Sequence, residues 1–158
     1  MAQQSEKSDA ELSQADQRRL EEYKEMVAKN IRSHTDDWDG VNLKAMSMGM
    51  LVAIKRDAVK EDGHSLDHSR DIDGVVAANG PGGRGGVVVY QDGRDLINTL
   101  YIDRHDLTMS EARNINSLQE LNMTLRQQEQ QERMQQQQLQ QDQRQQGEQR
   151  DILTMGTR

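Results

Sequence analysis

Two stretches in which apolar residues recur three or four apart, a β-branched centre broken by glycine turns, and a third helical stretch after it predict an α+β fold. The expected order is two N-terminal helices, a small three-stranded antiparallel sheet, and a C-terminal helix running into a disordered Gln-rich tail. At 158 residues the chain has room for one domain plus that tail. The predicted boundaries are a disordered N-terminus at 1–12, the domain at 13–126 and the tail at 127–158.

Ser8 to Glu11 and Ser13 to Asp16 are two successive candidate caps, and Leu20, Tyr23, Val27 and Ile31 follow them at helical spacing. Asp39 or Asn42 can cap the second helix, in which Leu43, Met46, Met50, Leu51, Ile54 and Ala58 form the stripe and Gly63 is a natural stop. Between Ser65 and Asp103 the period changes from helical to extended. Val75–Ala78, Val87–Tyr90 and Leu96–Ile102 read as strands, joined by the glycine-rich 79–86 and by the Asp-Gly turn at 91–94. Thr108-Met109-Ser110-Glu111 has the form of a capping box, and Ala112, Ile115, Leu118, Leu121 and Leu125 then share one helix face. From Gln127 to Gln146 that face disappears. Only Met134 and Leu139 are large and apolar there, too little burial to offset the entropy of ordering, so the stretch reads as a tail, at most partly helical. It is either passive or a segment that orders on a partner, and a coiled-coil extension is disfavoured because Leu118, Leu125, Glu132 and Leu139 break the heptad phase.

Composition limits the function. Hydrophobic residues make up 33%, with nine Met, three Tyr, one Trp and no Phe, which predicts a small and adaptable core of low stability. A net charge of −7 without a Lys/Arg cluster argues against nucleic acid as a partner. The absence of cysteine removes disulfides and thiol chemistry. No apolar run is long enough to cross a bilayer, so membrane insertion is not expected, and the N-terminus lacks the order of a secretory signal. The chain is expected to be made in the cytoplasm.

His64, Asp67, His68, Asp71 and Asp73 are the densest set of metal-ligand types, and the two histidines have one-turn spacing. Gly63 before them and β-type residues after them predict a turn, where residues four apart do not share a face. The preferred reading is a solvated acidic turn with structural hydrogen bonds, and no metal or cofactor is expected. The glycine-rich loop lacks the Lys-Ser/Thr of a phosphate cradle and leads into a strand, so it reads as a hairpin loop. Without a cysteine or a Gly-x-Ser-x-Gly elbow, nothing supports an enzyme.

The order of elements, with several short motifs, resembles the conserved C-terminal recognition domain of xanthomonad-type antibacterial type IV secretion effectors. Leu66-Asp67-His68 after a helix, Val88-Val89-Tyr90-Gln91-Asp92-Gly93 as a strand ending in Gln and Gly, and Tyr101-Ile102-Asp103 are similar to that family. So is Ser117-Leu118-Gln119-Glu120-Leu121-Asn122 before a glutamine-rich tail. Ser69-Arg70-Asp71 departs from it, 73–86 looks like an insertion, and no toxin-sized domain precedes. The resemblance implies a secretion signal bound by the type IV coupling ATPase and passed into a rival bacterium, with an immunity protein as a further partner. It assigns partner binding to Asp67, His68, Gln91, Gly93, Asp103, Ser117 and Gln119. Two other readings stand beside it. One is a small structural protein oligomerising through Ile115, Leu118, Leu121 and Leu125, and the other is a metal-dependent enzyme built on His64, Asp67 and His68.

Overall fold

Of the two candidate caps Ser13 starts the first helix, its Oγ accepting the Asp16 amide at 3.1 Å, and Ser8 lies outside the described residues. Helix α1 runs Gln14–Val27 and continues as a π-helical turn, Ala28–Arg32. Leu20, Tyr23, Val27 and Ile31 are all buried, as the stripe requires. The computed structural model describes residues 12–33, 38, 40–78, 85–93 and 96–156, with side chains described to residue 145. Of the predicted disordered segment 1–12 only Leu12 is described, packed against the core, and 1–11 and the glycine-rich loop at 79–84 lie outside the described residues.

Asn42 caps helix α2 (Leu43–Val59), accepting the amides of Lys44 at 2.9 Å and Ala45 at 3.3 Å, and Asp39, the other candidate, lies outside the described residues. The helix ends before the glycine assigned to stop it: Lys60 is already extended, and Gly63, at φ +73°, lies in the following turn. Met46, Met48, Met50, Leu51, Val52 and Ile54 are buried, so α2 is the central helix of the core. Gly49 is needed there, because a Cβ on it would stand 2.3 Å from the Asp106 carbonyl oxygen.

Strands β1 (Gly74–Ala78), β2 (Gly86–Asp92) and β3 (Ile97–Ile102) form an antiparallel sheet in the order β1-β2-β3. The register sets Val75 opposite Val89 and Val87 opposite Ile102, and all four are buried on the helix-covered face. Side chains alternate across a strand. Val76, Ile97 and Tyr101 therefore face outward and are exposed. The α+β class is as the sequence predicts.

A short helix, α3 (Arg104–Leu107), precedes the last one, α4 (Glu111–Gly156), and changes the expected cap. The Thr108 hydroxyl turns back to the carbonyls of Arg104 and His105, closing α3. Ser110 takes the capping role, its Oγ accepting the Arg113 amide at 3.3 Å. The four residues of α3 are too few to give a periodic signal, so the T-x-x-E pattern pointed to the wrong hydroxyl.

The chain divides into two units, Met1–Asn122 and Met123–Arg158. In the first, Leu118 is fully buried, and Ile115 and Leu121 pack against the core. The second unit is helical through Gly156, where the sequence predicts a disordered tail. The expected lack of burial is observed: every side chain from 129 to 145 is exposed. Glutamine tolerates helix well, so the helix continues there without burial. A helix already nucleated by the capped first turns also extends at little further cost.

Candidate functional site

The end of α2 and the turn after it are held by one buried carboxylate. Asp57 accepts the amides of Ser65 at 2.9 and 3.0 Å and of Leu66 at 3.0 Å, and its Oδ2 lies 2.7 Å from His68 Nε2. Its side chain is 1% exposed. Burial alone would raise its pKa, but the two amides and the imidazole outweigh burial and hold the carboxyl below its ordinary range.

Gln91 locks the same turn to the sheet. Its Oε1 accepts the Asp67 amide at 2.7 Å and Asn98 Nδ2 at 3.3 Å. Its Nε2 faces the carbonyls of Asp67 at 2.8 Å, Arg70 at 3.2 Å and Asp71 at 3.4 Å. A buried amide with both donors and both acceptor positions engaged is fully satisfied. The Asp67 carboxylate itself is exposed. The hydroxyl and amide of Ser69, at 2.6 and 3.0 Å, lower its pKa.

Three of the residues singled out in the sequence, Asp67, His68 and Gln91, are thus brought together. Gly93 and Asp103 flank β3 at its two ends, Gly93 donating to the Leu96 carbonyl at 3.0 Å and Asp103 accepting the Asp106 amide at 3.1 Å. Ser117 is half-buried and Gln119 exposed on α4, and neither joins the Asp57 and Gln91 network. His64 is also committed: its Nε2 meets the Lys60 carbonyl, and its ring stands edge-on to His68 at 5.3 Å. Among the described residues no group of three or more His, Asp or Glu could hold a metal ion.

The sequence reading missed Asp57, which lies eleven residues before His68 in no known motif. It also missed a second buried cluster. Lys55 Nζ sits 3.0 Å from Asp16 Oδ1, and Asn122 bonds both partners, so α1, α2 and the first unit's part of α4 meet at one ion pair. The two charged side chains are 8% and 3% exposed. The signal was present: Lys55 interrupts the apolar face of α2 beside Leu51 and Ile54.

Two cavities lie in the first unit, and the smaller adjoins the Gln91 network. One, of about 30 Å³, is lined by Arg19, Tyr23, His68, Asp71 and Gln91. Burial pushes the Tyr23 phenol up to about 12 despite the nearby Arg19. The other is a groove of about 330 Å³ between α1, α2 and the start of α4. Leu20, Met48 and Ile115 line it, and the ion pairs Lys24–Glu21 and Lys44–Glu111 border it. No helix among the described residues is long and apolar enough to cross a membrane. No protein-family model, curated protein or solved structure matches this chain.

Proposed function

We propose that the chain is a non-enzymatic recognition domain: the transport signal of a small type IV secretion effector, bound by the coupling ATPase and carried into a rival bacterium. The observation that supports this most is the convergence of the motif residues. Leu66-Asp67-His68 and Gln91, 24 residues apart, are bonded into one turn-and-sheet lock. Residues that keep one another in place are what a shared domain fold would retain, and Asp57 and Gln91 have their hydrogen-bonding capacity filled internally rather than free for a substrate.

Two further features suit this reading. The core is rich in methionine and crossed by a buried ion pair, and such pairs add little net stability. A domain of that kind yields readily when it must be threaded. The exposed glutamines of 129–145 present donors and acceptors to a receptor without net repulsion. The competing assembly through Ile115, Leu118, Leu121 and Leu125 is less well supported, because the first three of those side chains are used inside the domain.

The test is a pull-down of the full chain, and of a version ending at Leu125, against the cytoplasmic part of the coupling ATPase from the same cell. Retention of the full chain is expected, and its loss on truncation would assign the contact to the glutamine-rich helix. Retention of neither would overturn the proposal.

A further inference from the structure

Among the described residues, strand β3 is paired with β2 on one side only. The Gly93 amide bonds the Leu96 carbonyl at 3.0 Å, which makes that pair a hydrogen-bonded one. Hydrogen-bonded and non-bonded pairs alternate along an antiparallel ladder. In the observed register Gln91↔Asn98, Val89↔Leu100 and Val87↔Ile102 are then the bonded pairs, and Ile97, Thr99 and Tyr101 turn their backbone N–H and C=O groups to the free edge. The same three residues carry exposed side chains on the outer face, Ile97 at 64% and Tyr101 at 39%. From 97 to 102 the strand has no charge and no proline, the usual devices by which soluble proteins block an edge.

We propose that β3 pairs with β3 of a second copy of this chain, antiparallel and centred on Thr99. A two-fold axis normal to the sheet at Thr99 sets that residue against its symmetry mate and Ile97 against the partner's Tyr101. All three outward N–H and C=O pairs are then satisfied, and a slip of two residues leaves one residue unpaired. The side chains form two aromatic with β-branched pairs flanking a Thr–Thr pair, both favourable cross-strand combinations. An extended segment of another protein would meet the same backbone groups, but the match about a single centre is supplied by the chain itself. One edge of six residues buries less than the roughly 1,200 Å² typical of a stable interface. The dimer is therefore weak and forms at high concentration. This inference does not depend on the secretion reading.

Sedimentation of the full chain from micromolar to millimolar concentration tests it. The mass is expected to rise from 18.0 kDa towards twice that value. Thr99→Pro removes one outward N–H that the ladder with β2 does not use, and Thr99→Lys places a charge on the edge. Both are expected to stay monomeric with an unchanged circular dichroism spectrum, and Thr99→Lys carries the test if the proline variant does not fold. Amide exchange gives a second readout: Ile97, Thr99 and Tyr101 slow as concentration rises, while Asn98 and Leu100 do not change. A chain that remains monomeric at millimolar concentration, a folded Thr99→Lys variant that dimerises like the parent, or exchange that ignores concentration would each overturn the proposal.

Discussion

Gln91 is the residue on which the lock between turn and sheet depends. Gln91→Leu keeps the side-chain bulk but strands the Asp67 amide and the carbonyls it served. Each buried group left unsatisfied costs about 1–3 kcal/mol, so a clear fall in the urea midpoint is expected. Asp57 gives a pH signature. Its folded pKa lies below the ordinary 3.8, so the folded state holds fewer protons than the unfolded chain in that range. The stability it contributes is present above 3.8 and lost as pH falls through 3.8 towards the lower folded value. Asp57→Asn is expected to be less stable at neutral pH and to lose stability less steeply on acidification, as measured by urea unfolding at several pH values. A slope unchanged from the parent would show that the Asp57 carboxyl is not held below its unfolded range.

At the scale of elements, the caps separate what local pattern can reveal from what it cannot. Ser13 and Asn42 were legible only as one of two candidates each, because Ser8 and Asp39 precede the same periodic apolar runs. Thr108 was misleading because a helix of four residues ends on it, and only the fold puts Ser110 at the start of α4. Ser110→Ala is expected to cost about 0.5–2 kcal/mol, as loss of an N-cap does, and Thr108→Ala distinctly less, by thermal melting. The same limit applies to the core. Apolar stripes announced α1, α2 and α4, but the partners of Lys55 are 39 and 67 residues away. Removing Lys55 alone leaves Asp16 buried and unpaired, so Lys55→Ala is expected to cost about 3–5 kcal/mol. The double change Lys55→Met with Asp16→Leu is expected to recover most of that in the same melting experiment. Failure to recover would mean that the pair contributes more than mutual neutralisation.

For the whole molecule, the division at Asn122 carries a prediction about cooperativity. The first unit holds the buried side chains of the core, whereas 129–145 is helical with every side chain exposed. Backbone hydrogen bonds exposed to water and without buried apolar contacts open locally at low free-energy cost. The two units should therefore respond separately to damage. Proline in a helix interior removes one hydrogen bond and clashes with the preceding turn, at about 3 kcal/mol or more. In the core that cost would threaten the fold, but at Gln131 it falls on a segment whose side chains bury nothing. Gln131→Pro is expected to reduce the helical circular dichroism signal and to speed amide exchange beyond 131, while the urea midpoint of the domain stays that of the parent. A midpoint that fell with the helical signal would show that the glutamine-rich helix stabilises the core. It would then have to be treated as part of one cooperative fold rather than as a surface free to meet a receptor.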